Sequence, residues 1–270
     1  MIEAIKTAET NYIEHGWCEI DLPNTEHINE LKTLVTAKLI SLTGNNKVTL
    51  SSYHQFVSDL NHDKFQWKLA NLLWKYDIGV TIGRSQYEFL RSFISPDLLV
   101  QAKPFLRIAR PGRAEDCIGY HRDTSYGQSP YEVTMFIPLV DLPQSAALHV
   151  APKTHMLKNE EIHLTSLANP KWKRRSQKHS LGFPYSPKII NGVKDINFYP
   201  VPLRLGQAML FSPSLVHGQT CNNSSITRFS IDLRFLNAHA PIRINKAANN
   251  RGYKAVYESA VQKVAAAYLN

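Results

Sequence analysis

The chain has 270 residues, of which 43% are hydrophobic and 10% are aromatic, and this composition fits a soluble globular protein with a sizeable core. Lys and Arg number 31 and Asp and Glu 22, so the formal net charge is +9, which is compatible with anionic small molecules, nucleic acid or an anionic membrane surface. The cysteines, Cys18, Cys117 and Cys221, have no paired spacing, which excludes a disulfide framework and a cysteine zinc motif.

The N-terminal residues and the hydropathy of the chain predict a cytoplasmic location. Residues 1–6 carry an acid early and no apolar run, so they do not resemble a secretory signal peptide. No stretch approaches the ~20 apolar residues of a membrane-spanning helix. Unpaired cysteines also suit a reducing compartment. We therefore expect no membrane contact.

The first hundred residues carry mostly helical patterns. Residues 10–22 are the exception and are predicted to be a short extended segment. Asn24 or Thr25 is a plausible N-cap for the helix that follows, because short polar side chains accept bonds from the first backbone amides. Apolar residues at helical spacing predict further helices over 51–76 and 86–102.

From residue 104 the pattern changes to short runs that are rich in β-branched and aromatic residues. Gly, Pro, Ser and Asn bound these runs, as is typical of strands. The predicted strands cover 105–109, 119–123, 133–140, 147–150, 209–211, 215–219 and 228–235. Helices followed by many short strands predict a mainly β fold, a β-sandwich or jelly roll with helices on one side.

We expect one domain over residues 1–270. Its parts are a helical N-terminal support at about 1–103, a jelly-roll core at about 104–236 and a C-terminal helix at about 251–270. Residues 157–200 follow neither a helical nor a strand period, and long irregular insertions are often functional. We therefore predict that this segment acts as a lid.

His121 and Asp123 form a His-x-Asp motif at the end of a predicted strand. Side chains two residues apart in an extended segment point to the same face, so both could reach one ion. His217, far along the chain, would supply a third ligand from a strand folded opposite. Two His and one carboxylate bind one face of an octahedral Fe(II) and leave three positions open.

Arg228 follows His217 by eleven residues, and Ser230 lies two residues further on the same predicted strand. A guanidinium offers a planar fork that matches a carboxylate with two hydrogen bonds. Ser230 would share the strand face with Arg228 and could donate one more hydrogen bond.

The region from about 104 to 236 resembles the phytanoyl-CoA dioxygenase-like branch of the Fe(II)/2-oxoglutarate oxygenases. The resemblance starts from His121-Arg122-Asp123 and ends with His217 and Arg228. Between them come three matching segments, Ile137-Pro138-Leu139-Val140-Asp141, Ala146-Ala147-Leu148-His149-Val150 and Ala151-Pro152-Lys153-Thr154-His155.

This resemblance implies a double-stranded β-helix fold, also described as jelly-roll or cupin-like. It implies Fe(II) bound by His121, Asp123 and His217, with 2-oxoglutarate and O2 as cosubstrates. Arg228 would clamp the far carboxylate of 2-oxoglutarate. The expected reaction is oxidation of a small molecule, with hydroxylation as the first expectation and a natural-product, sugar-derived or other anionic metabolite as substrate.

Arg107 and Thr134 are further candidates for contact with 2-oxoglutarate. Each lies on a predicted strand beside the metal strand. Arg107 is flanked by Leu106 and Ile108, so its side chain faces opposite to theirs. Thr134 could equally have been selected for strand packing.

Two other classes of function remain open on the sequence. A non-redox cupin-type metal enzyme, such as a sugar isomerase or epimerase, would use the His cluster without 2-oxoglutarate. A binding protein would use the basic run between Lys171 and His179, but no nucleic-acid-binding motif accompanies that run, so no nucleic-acid partner is expected.

Overall fold

The computed structural model describes residues 2–162, 164–166, 188–190, 196–241 and 252–269. The helices in these ranges are α1 Ile2–His15, α2 Glu26–Thr43, α3 Tyr53–Phe56, α4 Asp59–Lys75, α5 Ile78–Ser85, α6 Tyr87–Phe93 and α7 Ala260–Leu269. None of them is both long enough and apolar enough to span a bilayer.

The described chain also contains twelve strands. They are β1 Trp17–Asp21, β2 Leu98–Gln101, β3 Phe105–Ala109, β4 Glu132–Pro138, β5 Leu148–Ala151, β6 Leu164–Ser166, β7 Lys188–Ile190, β8 Tyr199–Val201, β9 Gln207–Phe211, β10 Val216–Gly218, β11 Arg228–Asn237 and β12 Tyr253–Tyr257. All the pairings between these strands are antiparallel.

The strands form a large sheet and a small sheet that face each other, and β6 and β7 form a separate pair. The large sheet has seven strands in the order β1-β9-β4-β11-β2-β12, with β3 also paired to β11. The small sheet has the order β10-β5-β8. This confirms the predicted mainly β, jelly-roll-like fold with flanking helices, although the described strands do not close into one barrel.

Strand β11 separates the hydrophobic core from a polar interior. Its apolar residues alternate with polar ones, and because the side-chain period of a strand is two, each kind occupies one face. The apolar face packs against the helices, as in the edge-to-face contact of Phe229 with Tyr53, whose ring centroids are 5.4 Å apart. The polar face carries Arg228, Ser230, Asp232 and Arg234.

Several predicted element boundaries are confirmed and others are wrong. The helix after Thr25 is confirmed as α2, which ends at Gly44 in a left-handed conformation. The extended segment over 10–22 is wrong for its first half, because α1 continues to His15 and β1 begins only at Trp17. Helix α1 is amphipathic and has few buried residues, Ile5 and Ala8, so its apolar residues gave only a weak helical pattern.

Two of the longer predicted helices each correspond to one helix and one strand in the structure. The predicted helix over 86–102 contains α6 and then β2. The predicted C-terminal helix begins at Ala260 rather than at about 251, because Tyr253–Tyr257 joins the edge of the large sheet as β12. Short apolar runs fit both periods, and the pairing of β2 with β11 and β12 decided between them. The helical support therefore also supplies the sheet with β1 and β2.

The predicted strand over 119–123 is reduced to one bridge. His121 pairs with His217 through two backbone hydrogen bonds, with N–O distances of 2.8 and 3.0 Å. Arg122 stays extended, so His121 and Asp123 still project to one side. The chain then turns at Asp123 into a single 3-10 turn that ends at Gly127, whose φ is 84°.

The predicted lid lies largely outside the described residues. Only 157–162, 164–166, 188–190 and 196–200 of the segment 157–200 belong to the described part. The basic run between Lys171 and His179 lies outside it as well. The lid therefore stays a prediction.

Gly218 allows the His121–His217 bridge to form. Its φ is 149°, and an added Cβ would lie 2.6 Å from the carbonyl oxygen of Gly119. That distance is shorter than van der Waals contact, and the obstructing atom is backbone. A side chain here would push apart the two segments that carry the histidines.

We expect Gly218→Ala to lower the free energy of unfolding by about 3 kcal/mol or more. The matched control is Gly44→Ala, which has a φ of 67° but nothing within 4 Å of the added Cβ. Gly44→Ala should lower the free energy of unfolding by only about 1 kcal/mol, because a residue with a Cβ is disfavoured in the left-handed conformation. Denaturant unfolding of both variants tests this, and equal losses would show that the close approach to Gly119 carries no energy.

Candidate metal centre and cosubstrate site

His121, Asp123 and His217 form the candidate metal centre. Oδ1 of Asp123 lies 3.6 Å from Nε2 of His121 and 4.0 Å from Nε2 of His217. One ligand atom from each of the three residues falls within 4.8 Å of the others, and all three residues are buried. Two imidazoles and one carboxylate on one side of an ion are the ligand set of non-haem Fe(II) sites.

The two imidazoles present the nitrogen that a metal requires. Nδ1 of His121 lies 2.7 Å from the carbonyl oxygen of Gly119, and Nδ1 of His217 lies 3.0 Å from that of Leu215. A proton donated in these bonds sits on Nδ1, which leaves a lone pair on Nε2. Burial, and secondarily the nearby His121, lowers the pKa of His217 to about 4, so this imidazole is neutral at pH 7.

The Asp123 carboxylate is ionised and is held from both sides. Burial alone would raise its pKa, but the Arg234 guanidinium and the two imidazoles hold the pKa well below its usual range. Nη2 of Arg234 donates to Oδ2 of Asp123 at 2.6 Å. The other oxygen, Oδ1, faces the imidazoles. The residues present therefore fit a divalent iron ion with one carboxylate oxygen as ligand.

Arg228 lines the same cavity as these three residues. Its Nη1 donates to the side-chain oxygen of Gln219 and to the carbonyl oxygen of Ala146, the latter at 3.4 Å. Both acceptors are neutral, and its buried Nε has no hydrogen-bond partner within the described chain. Burial lowers the pKa of this guanidinium. Arg228 is therefore a buried cation that needs an anion, because an unpaired buried charge is costly.

Arg107 also lines the cavity, but its charge is already balanced. Its Nε donates to Oδ2 of Asp232 at 2.8 Å, across the β3–β11 pairing. Asp232 lies on the polar face of β11, two residues from Ser230, and lines the cavity too. The contact of Arg107 with a cosubstrate stays a prediction.

Ser230 and Thr134 are both buried, with exposures of 0% and 1%. Neither hydroxyl has a hydrogen-bond partner among the residues described. Ser230 lies on the polar face of β11 beside Arg107, and Thr134 pairs with Arg234 across β4 and β11. Neither residue is among those that line the cavity of the metal centre, and their roles stay predictions.

The cavity between the two sheets has a volume of about 490 Å³. The large sheet supplies Phe136, Phe211 and four charged residues, the small sheet supplies Leu148 and His217, and two 3-10 turns supply Asp116 and Asp123. The metal centre and Arg228 therefore line the same cavity.

Sequence reasoning missed four polar residues of this cavity, Arg234, Asp232, Gln219 and Asp116. A signal for the first two was present, since the run Arg228-Phe229-Ser230-Ile231-Asp232-Leu233-Arg234 alternates polar and apolar residues. With Arg228 in the cavity, the period of two places the other charged residues there as well. Gln219 lies two residues after His217, so the same period of two places it on the side of the chain that His217 occupies.

His149 shows that proximity in the sheet does not make a ligand. It is paired with Gly218 in the β5–β10 register, next to the pair formed by Val150 and His217. Adjacent pairs face opposite sides of a sheet, so His149 points away from the cavity. Its Nδ1 lies 3.0 Å from the hydroxyl of Tyr120.

Comparison with solved structures finds the same fold in non-haem iron enzymes. The apo form of the non-heme monooxygenase ThoJ has a TM-score of 0.57 and 14% identity, over 93% of this chain and 84% of that chain. The epimerase SnoN, in complex with Fe3+, alpha ketoglutarate and nogalamycin RO, has a TM-score of 0.51 and 15% identity, over 92% of this chain and 90% of that chain.

A third similar structure is EvdO2 from Micromonospora carbonacea var. aurantiaca. Its TM-score is 0.54 with 13% identity, over 88% of this chain and 93% of that chain. At these identities the likeness establishes the fold alone. Comparison with curated protein sequences finds no match.

A sequence model of one family matches the chain over residues 47–230, which is more than half of its length. The family is described as phytanoyl-CoA dioxygenase (PhyH). The match includes His121, Asp123, His217 and Arg228, and it decides against a non-redox cupin enzyme and a binding protein as the class. The chain therefore belongs to the phytanoyl-CoA dioxygenase family, whose enzymes are Fe(II)- and 2-oxoglutarate-dependent oxygenases.

Proposed function

We propose that this protein hydroxylates a small molecule, with Fe(II) bound by His121, Asp123 and His217 and with 2-oxoglutarate anchored by Arg228. The observation that carries the proposal is the state of Arg228. It is the buried cavity cation for which the described residues supply only neutral acceptors. A dicarboxylate could bind the metal with one end and Arg228 with the other. It would then fill open metal positions and supply the anion that Arg228 lacks.

When bound, the iron supplies oxidative chemistry in which 2-oxoglutarate, O2 and a substrate C–H group become succinate, CO2 and a substrate C–OH group. The protein residues bind and orient the reactants. Arg228 binds the far carboxylate through two hydrogen bonds from its guanidinium, which fixes the orientation of 2-oxoglutarate. Ser230, two residues along the same face, would donate a hydrogen bond to that carboxylate from its hydroxyl, which has no partner among the described residues. Phe136, Phe211 and Leu148 exclude water from the wall around the reacting atoms.

The substrate is proposed to be a natural product, a sugar derivative or another anionic metabolite. The basic balance of the chain, with a formal net charge of +9, supports an anionic compound. Because the similar structure SnoN is an epimerase in complex with nogalamycin RO, epimerisation is the product outcome from which hydroxylation must be distinguished.

The first prediction concerns the metal. We expect His217→Ala to lose Mn(II) binding, measured by electron paramagnetic resonance titration, because it removes one of three ligands. His149→Ala, on the neighbouring strand but facing away, is the matched control and should bind Mn(II) as the parent does. Equal affinity of His217→Ala and the parent would remove the triad from the proposal.

The second prediction concerns 2-oxoglutarate. We expect Arg228→Lys to raise the apparent KM for 2-oxoglutarate at least about tenfold in a succinate-formation assay, because Lys keeps the charge but loses the two-pronged geometry. Arg228→Met should abolish measurable turnover. Arg84→Ala, which changes an exposed arginine on the helical layer that donates to the carbonyl oxygen of Val256, is the control and should leave KM unchanged.

The outcomes separate the alternatives. If the parent binds Mn(II) yet forms no succinate with any candidate substrate, Arg228 does not bind 2-oxoglutarate and the assignment falls. Once a substrate stimulates turnover, mass spectrometry under ¹⁸O₂ identifies the reaction. A product that gains one labelled oxygen atom supports hydroxylation, and a product of unchanged mass indicates epimerisation.

A further inference from the structure

Two arginines of the cavity have closely similar surroundings. Arg234 donates to Asp123 at 2.6 Å, and Arg107 donates to Asp232 at 2.8 Å. The Cζ atoms of these arginines lie 4.9 and 5.0 Å from the centroid of the same Phe105 ring. They differ in that Asp123 belongs to the candidate metal centre and Asp232 does not, and in that the Arg107 side chain is 21% exposed and that of Arg234 only 3%.

Arg234 engages the carboxylate oxygen that faces away from the histidines. Its Nη2 is bonded to Oδ2, while Oδ1 lies 3.6 Å from Nε2 of His121. A carboxylate fixed in this way cannot turn to offer both oxygens to an ion. The two oxygens of Asp123 are thereby divided between an arginine and the metal position.

The Arg234 guanidinium is itself held from several strands. Nη1 donates to Oε1 of Gln101 on β2 at 3.3 Å, and Nε lies 3.8 Å from Oε2 of Glu132 on β4. Tyr253 on β12 donates its hydroxyl to Oε1 of Glu132 at 2.6 Å. Arg234 is 3% exposed. Four strands thus fix the position of one guanidinium.

Charge supports the same assignment. Burial by itself would lower the pKa of Arg234, but Asp123 and Glu132 outweigh it and raise the pKa. Burial lowers the pKa of Arg228, and no carboxylate of the described chain lies within 4.0 Å of this guanidinium to oppose that effect as Asp123 does at Arg234. One arginine of β11 is therefore committed to the metal ligand and the other is open to an incoming anion.

We propose that Arg234 is a positioning residue that holds Oδ2 of Asp123, so that Asp123 binds the metal through Oδ1 alone and the remaining coordination positions stay open for 2-oxoglutarate and O2. This inference rests on the proposed function. Arg234 acts through Asp123 and touches neither the substrate nor the cosubstrate. Loss of this contact weakens metal binding, because partners behind a ligand orient it and raise its affinity.

The test is Mn(II) titration of the apoprotein by electron paramagnetic resonance. We expect Arg234→Met to weaken Mn(II) binding by about tenfold or more. Arg107→Met is the matched control, because it removes an arginine from the same Phe105 ring without touching a ligand, and its Mn(II) affinity should stay within about twofold of the parent. Arg234→Lys, which keeps the charge, should show a smaller loss than Arg234→Met.

Arg234→Met removes the guanidinium that lies 3.8 Å from the buried Glu132 carboxylate, so the fold of this variant must be checked. Circular dichroism melting of the apoprotein provides that check. If the single variant does not fold, the double variant Arg234→Met with Glu132→Gln replaces it, because neither of those two positions then carries a buried charge. The same loss of Mn(II) affinity is expected in the double variant.

A second readout separates positioning from general destabilisation. We expect the visible spectrum of Co(II) bound to Arg234→Met to differ from that of the parent, because a carboxylate free to bind with both oxygens changes the coordination geometry. Arg107→Met should give the spectrum of the parent. A purely structural role for Arg234 would alter the melting temperature but leave the Co(II) spectrum unchanged.

The results distinguish the positioning role from the proposed function. If the parent binds no Mn(II), the triad is not a metal site and the proposed function fails. If the parent binds Mn(II) and Arg234→Met binds it equally well with the same Co(II) spectrum, only the positioning role fails. If Arg107→Met weakens Mn(II) binding as much as Arg234→Met, the loss of affinity comes from removing a positive charge from the cavity. In that case the positioning role fails as well.

Discussion

The structure depends on the way β11 keeps apolar and charged side chains on opposite faces. Phe229, Ile231, Leu233 and Phe235 are fully buried on the helical side. The alternate residues, from Arg228 to Arg234, are buried against the cavity. A strand that is buried on both faces is ordinarily apolar throughout. Here one face carries three charges, and these charges require specific partners.

The partners of these charges organise the cavity. Arg234 balances Asp123, and Arg107 balances Asp232. Asp116, which also lines the cavity, is bonded by Arg110 through two nitrogens at 2.7 and 2.9 Å. Because an unpaired buried charge costs several kcal/mol, each of these pairs also fixes the position of its carboxylate. Arg228 is left with neutral acceptors, and the cavity therefore has one defined position for an incoming anion.

The metal centre depends on a very small piece of sheet. His121 and His217 are brought together by two backbone hydrogen bonds, and Gly218 permits the segments to approach. Their imidazoles are then turned by bonds from Nδ1 to nearby carbonyl oxygens. The backbone thus places the ligands and selects the tautomer, and the side chain of Arg234 orients the third ligand. The fold class matters to the site chiefly because the facing sheets bring these segments within reach.

The order of the motifs along the chain could be predicted from the sequence. His121, Asp123, His217 and Arg228 are recognisable because the chemistry requires these side chains, and the strand runs around them have a clear period of two. The ambiguous segments were those with weak or short apolar patterns. Residues 10–15 and 253–257 fit more than one period; the former continue α1, and the latter form β12 because β2 offers an edge to pair with.

The sequence by itself determined which residues could form the metal centre and which face of β11 is polar, because ligand chemistry and strand periodicity are local properties. Only the tertiary structure decided how the charges pair. Arg107, Arg228 and Arg234 look alike in the sequence, yet one faces Asp232, one faces neutral groups and one faces Asp123. Electrostatic partners come from distant strands, so the free energy that separates these three roles does not exist until the sheets have assembled.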